Sequence, residues 1–149
     1  MATSQEFRKI FIELIDDLEC NPSEIPKILD IDYGIFIKIR DYGWIPRPII
    51  LMRIADYFEI SLEYLLGKTD DIYFEKARVP KTFHIRYGEL KKENSMTDYA
   101  VAQKLHIPTS YTTNWKKHNY TPSLDNLFTL ADIFGVSLDY LLGRTDERK

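Results

Sequence analysis

Apolar side chains recur along this chain at intervals of three and four residues rather than two, and that spacing predicts helices throughout. Phe7, Ile10, Phe11, Leu14, Ile15 and Leu18 fall at i, i+3, i+4 and i+7, one stripe of an amphipathic helix facing a core. Asn21-Pro22-Ser23 ends that helix, because proline lacks the backbone donor an interior position needs. Two short helical patterns follow. Pro46 to Phe58 then reads as a fourth helix, and Ser61 caps a fifth, Leu-Glu-Tyr-Leu-Leu, which Gly67 ends in the left-handed conformation. No alternating, strand-like pattern competes.

The pattern then repeats. Ala55 to Asp70 (ADYFEISLEYLLGKTD) and Ala131 to Asp146 (ADIFGVSLDYLLGRTD) agree at 11 of 16 positions with an offset of 76. The same offset, without a gap, pairs Phe7 with Phe83, Phe11 with Tyr87, Leu14 with Leu90, Leu29 with Leu105, Ile31 with Ile107 and Pro46 with Pro122. Self-similarity of this kind is enough by itself to fix a domain count. The chain is therefore read as all-α: two tandem five-helix domains at residues 1–72 and 82–146, joined by a polar linker at 73–81 that carries Pro80. In the second domain, Pro122 to Phe134 forms the fourth helix with Ser123 as its N-cap, and Ser137 and Gly143 bound the fifth.

Charge separates the two copies. The 149 residues carry a net charge of −3, but residues 1–76 sum to −6 and residues 77–149 to +3. Such asymmetry points to different partners for the halves. From Tyr99 to Leu124 there is no carboxylate, while Lys104, Lys116, Lys117 and two histidines fall there, which marks a surface that meets an anion. Residues 97–120 read as a helix-turn-helix. Its two short helices part between His106 and Thr109, where Pro108 suits the first position of a new helix.

Other chemistry is sparse. Cys20 is the only cysteine, so there is no internal disulfide and no thiolate cluster for zinc, and a reducing cytoplasm is the expected compartment. The N-terminal residues lack the apolar core of a signal peptide, and no run of about 18 apolar residues is present to cross a bilayer. His84, His106 and His118 are not spaced as metal ligands, and no nucleophile with an adjacent base or phosphate-cradling glycine loop is visible. No enzyme, cofactor or metal is expected.

Several of these residues carry a resemblance. Pro122-Ser123-Leu124, Leu130-Ala131 and Val136-Ser137-Leu138-Asp139-Tyr140-Leu141-Leu142-Gly143, together with Val101-Ala102-Gln103-Lys104-Leu105 and Trp115, are similar to the lambda-repressor-like (Cro-type or XRE-type) helix-turn-helix family. The resemblance covers nearly the whole chain, once per repeat. It implies compact five-helix domains whose third helix enters the major groove of double-stranded DNA. Carried over by position, Thr109, Ser110, Thr113 and Asn114 face bases, while Lys104, Lys116 and Lys117, with the hydroxyls of Tyr111 and Tyr120, contact phosphate. Two features depart from the pattern: Asp98 stands where the family commonly has a phosphate-binding Gln, and His106 and Pro108 replace the usual Gly and Ser/Thr of the turn.

In the first repeat the base-facing set becomes Tyr33, Gly34, Ile37 and Lys38, flanked by Glu24, Asp30, Asp32 and Asp41, with Pro26 disturbing the second helix. Acid so placed opposes phosphate. Ile35, Phe36, Ile37 and Ile39 cannot all enter one small core, so this run is either a protein interface or a rotated, better buried helix. Two functions follow. In one, the second repeat reads DNA as a transcriptional repressor while the first dimerises or binds a partner protein. In the other, the chain is an interaction adaptor of antirepressor or antitoxin type that does not read DNA.

Overall fold

The computed structural model describes residues 2–118 and 120–149. It divides into two compact units, one running up to Phe74 and the other from Glu75 to Lys149. Among the described residues there are ten α-helices, five in each unit, and no strand beyond an isolated Thr3–Trp44 bridge.

The first unit contains α1 (Gln5–Asp16), α2 (Ile25–Leu29), α3 (Tyr33–Tyr42), α4 (Pro48–Phe58) and α5 (Leu62–Leu65). Ser4 caps α1 by accepting a hydrogen bond from the Phe7 amide, and α1 packs along α3. Pro26 occupies the first turn of α2 and leaves it only five residues long. Phe7, Phe11, Phe36, Ile39, Leu51, Ile54, Leu62 and Leu65 are sealed from solvent. Within this core the Phe11 and Phe36 rings lie 6.0 Å apart.

Ile35, Phe36, Ile37 and Ile39 do not share one surface. Phe36 and Ile39 are 0% exposed, one helical turn apart on the inner face of α3, and therefore belong to the core rather than to an interface. Ile35 and Ile37 remain half-buried. The period of 3.6 explains the split, since four apolar residues in five positions cannot occupy one side of a helix.

The second unit contains α6 (Phe83–Glu93), α7 (Asp98–Leu105), α8 (Thr109–Lys117), α9 (Leu124–Phe134) and α10 (Leu138–Leu141). Ser123 and Ser137 cap α9 and α10 through the amides of Asn126 and Tyr140, as their sequence positions predict. Trp115 is core, 4% exposed, and meets Phe83 and Tyr87 edge-on at 6.1 and 5.8 Å. Arg86 is buried too. Its guanidinium lies 3.8 Å over the Tyr140 ring and donates to the carbonyls of Tyr140 and Thr145. Asp139 and Arg144 form a second buried pair.

Residues 75–81, read from the sequence as linker, are bound into this unit. The Ala77 amide donates to the Arg144 carbonyl at 2.9 Å, the Lys81 amide to the Gly143 carbonyl at 3.2 Å, and the Thr145 hydroxyl to the Glu75 carbonyl at 2.7 Å. Gly143 permits this approach twice over. Its φ is +75°, and a Cβ there would sit 1.8 Å from the Lys81 carbonyl oxygen.

Candidate nucleic-acid interface

Thr97 starts α7 by accepting from the Ala100 amide, and His106 ends it at φ +58°, the left-handed conformation usually given to glycine. The His106 and Ile107 amides close on the carbonyls of Gln103 and Ala102. Pro108 follows as the N-cap of α8, φ −62° and ψ +144°, one position earlier in the helix than the sequence suggests. Its extended ψ keeps it just outside the helix, so the first helical residue is Thr109. Pro108 offers no side-chain cap to the start of α8, where the Tyr111 amide donates to the Pro108 carbonyl at 3.0 Å.

The sequence of α8 divides cleanly by face. Thr112 and Trp115, one turn apart, are buried against the unit's core. At 100° per residue the opposite direction belongs to Ser110, Thr113, Asn114 and Lys117, with Thr109 and Lys116 on one flank and Tyr111 on the other. Thr109, Ser110, Thr113, Lys116 and Lys117 are exposed, and so are Lys104, Tyr111 and Tyr120; Asn114 is half-buried. The structure thus brings Ser110, Thr113 and the half-buried Asn114 to the outer face of α8, with Thr109 on its flank. Asn119 lies outside the described residues. Tyr111, Asn114, Trp115, Tyr120, Thr121, Pro122, Ser123 and Asn126 line a cleft of about 370 Å³ between α8 and the start of α9.

Asp98 is not left facing outward as a bare charge. Its carboxylate accepts from the Lys91 ammonium at 2.6 Å and from the Tyr87 hydroxyl at 3.0 Å. Burial alone pushes the Asp98 carboxyl up, but hydrogen bonds from Lys91 and Tyr87 and the charges of Lys91 and Lys116 outweigh it and hold the group below the usual carboxylate range. Burial, reinforced by the Asp98 charge, pushes the Tyr87 phenol well above its usual range. Lys91 also lies 4.6 Å over the Tyr87 ring. Sequence reasoning misses this network. Its signal is present as Lys91 seven residues before Asp98, but the intervening turn hides that proximity.

Nor does the sequence single out Tyr99 and Gln103. They are exposed one turn apart on α7, and the Gln103 amide donates to the Tyr99 hydroxyl at 2.7 Å. Among the described residues no group of three or more His, Cys, Asp or Glu side chains could hold a metal ion, and no helix is long and apolar enough to cross a membrane.

The corresponding surface of the first unit differs. Asp30 takes the left-handed turn position at φ +56°, Asp32 is the N-cap of α3, and Glu24, Asp30, Asp32 and Asp41 are all exposed. Tyr33 is 58% exposed at the start of α3. Lys38 lies over the Trp44 ring at 5.1 Å, and Arg40 is paired with Asp41 at 2.8 Å.

Both units turn on a left-handed residue, Asp30 or His106, and what distinguishes the second is the hydroxyl- and amide-bearing outer face of the helix that follows. Residues 93–149 match the bacteriophage CI repressor helix-turn-helix domain. That match spans α7 to α10 and the turn between α7 and α8. The chain is 36% identical over 62 residues to an uncharacterized HTH-type transcriptional regulator, YobD, of Bacillus subtilis, covering 42% of this chain and 55% of the relative. It is 31% identical over 64 residues to the HTH-type transcriptional regulator ImmR of the same organism, covering 43% and 50%. The chain thus spans about half the length of the curated relatives it matches. No solved structure matches it. These likenesses support a helix-turn-helix repressor family, with the CI-type domain in the second unit.

Proposed function

We propose that this chain is a sequence-specific, DNA-binding transcriptional regulator of repressor type, in which the second unit inserts α8 into the major groove. The observation that carries the reading is the outer face of α8. Thr109, Ser110, Thr113 and Asn114 offer hydrogen-bonding groups within its first six residues, and exposed Lys104, Lys116 and Lys117 surround them in a stretch without free carboxylates. Asp98, close enough to α8 to feel the Lys116 charge, is paired with Lys91. Tyr111 and Tyr120 border the cleft beside α8 and extend the phosphate-contacting rim.

The first unit is the second copy of the same scaffold and serves dimerisation or binding of a partner protein. Its exposed acids oppose phosphate, and Tyr33, Ile35 and Ile37 supply the apolar part of such a surface. As a homodimer the chain would place two α8 helices on half-sites about 34 Å apart.

Selection of bound fragments from sheared genomic DNA at two salt concentrations tests this, with the intact chain set against a Lys116→Glu, Lys117→Glu double variant. The expected result is a sequence enriched by the intact chain and lost in the variant. No enrichment even at low salt, where phosphate contacts are strongest, overturns the reading in favour of an adaptor that does not bind DNA.

A further inference from the structure

The outer face of α8 carries more than a general affinity for DNA. Each base presents a distinct edge in the major groove: guanine is read by Arg or Lys, cytosine by Asp or Glu, adenine by Asn or Gln, and thymine by apolar contact with its C5 methyl. The first six residues of α8, Thr109 to Asn114, contain no Arg, Lys, Asp or Glu. They contain one amide, Asn114, whose side chain makes no hydrogen bond among the described residues, and Thr113, which stands beside it on the same face.

The hydroxyls of the two neighbouring threonines are already committed. Thr112 Oγ1 donates to the Thr109 carbonyl at 2.8 Å and Thr113 Oγ1 donates to the same carbonyl at 3.2 Å. With its proton turned back into the helix, Thr113 has a methyl group and oxygen lone pairs left to offer, not a donor. Lys117 lies on the same face, but it is the last residue of α8, about 12 Å along the axis from Thr109. At that depth it belongs with the phosphate contacts, because the N-terminal residues of such a helix are the ones that meet base edges.

We propose that α8 selects adjacent A·T pairs, with the Asn114 amide on the N6/N7 edge of an adenine and the Thr113 methyl against the C5 methyl of a neighbouring thymine. This rests on the major-groove reading above. Ser110 and Thr109, which suit several bases, then contribute affinity without strong choice.

The test uses the full chain and a duplex library randomised over one half-site, followed by measurements on the selected duplex. The expected motif has adjacent A·T pairs at its core. Replacing the contacted thymine by uracil, which deletes only the methyl, should weaken binding severalfold, and Asn114→Ala should weaken it roughly tenfold or more and flatten the preference at one adenine. Thr113→Val, which keeps a methyl and removes the hydroxyl, should bind nearly as well as the native chain, whereas Thr113→Ser, which does the reverse, should mimic the uracil substitution. The uracil arm alters no protein residue, so misfolding cannot imitate it. A motif centred on G·C, or one indifferent to uracil, overturns the A·T assignment while leaving DNA binding intact. Binding without any enriched motif overturns sequence reading itself, and the assignment with it.

Discussion

Two helix pairs related by 76 residues, α2–α3 and α7–α8, occupy the same place in their units and have opposite surfaces. Beneath those surfaces the same two core positions are filled in reversed order. Phe36 and Ile39 seal the first unit, and Thr112 and Trp115 seal the second, so the large ring moves by one helical turn while the small partner takes the other site. Cores tolerate such exchanges when total volume is kept. The polar layer diverges further. Phe11, Ile15 and Pro22 correspond to Tyr87, Lys91 and Asp98, so an apolar cluster stands where the second unit has an ion-pair network. In the first unit that region retains a cavity of about 330 Å³ lined partly by Ile15, Pro22, Phe36 and Arg40. A scaffold's packing and its surface chemistry are therefore separable, and the surface is where function is decided.

The comparison can be broken at several points. Phe36→Ala should be the most damaging, destabilising the first unit by about 4 kcal/mol through lost burial and the void left behind. Thermal denaturation followed through Trp44, in the first unit, and Trp115, in the second, would assign the loss; an unchanged Trp44 transition would contradict the core placement. Gly143→Ala should cost the second unit about 3 kcal/mol, since the added Cβ meets a backbone carbonyl and the left-handed φ disfavours it. Its counterpart Gly67→Ala meets the Glu6 Cβ at 2.7 Å and should cost less, about 2 kcal/mol.

The surfaces supply the next tests. Reversing Lys116 and Lys117 to glutamate should weaken DNA binding roughly 100-fold and make the salt dependence shallower by about two counterions. Lys38→Glu in the first unit should change it little. Equal losses from both units would show that the first also meets phosphate.

The smallest expected effect concerns Asp98. Its folded-state pKa is lowered, so its contribution is complete above the unfolded value of about 4 and is lost as pH falls through the lower folded value. Asp98→Asn should cost about 1 kcal/mol at neutral pH, a part-exposed pair being screened by solvent, and should flatten stability below pH 4. DNA binding by this variant should not weaken. A marked loss would mean that Asp98 positions α7 against the phosphates.

Much of this is legible in the sequence. The 3.6-residue period and the serine caps at Ser61, Ser123 and Ser137 place the helices, and the absence of carboxylates between Tyr99 and Leu124 marks the basic face. The outward placement of Thr109, Ser110 and Thr113 on α8 is what the family resemblance implies, and all three are exposed while Trp115 is buried. Burial of Phe36 and Ile39 is harder to read, because a continuous apolar run masks the helical period. The Lys91–Asp98–Tyr87 network is hidden in the sequence because it joins two helices across a turn. Pro108 stands one position from its sequence expectation because proline's fixed φ suits an N-cap with extended ψ as well as a first helical residue.

The strap formed by residues 75–81 bears on how the second unit can be cut free as a fragment. A gene segment beginning at residue 82, where the helical pattern resumes, would discard the Ala77, Lys81 and Glu75 hydrogen bonds and expose the Gly143–Thr145 backbone that they cover. A segment beginning at residue 75 keeps them. The seven residues that look most dispensable in the sequence are thus the hem that keeps the last helix of the second unit from fraying.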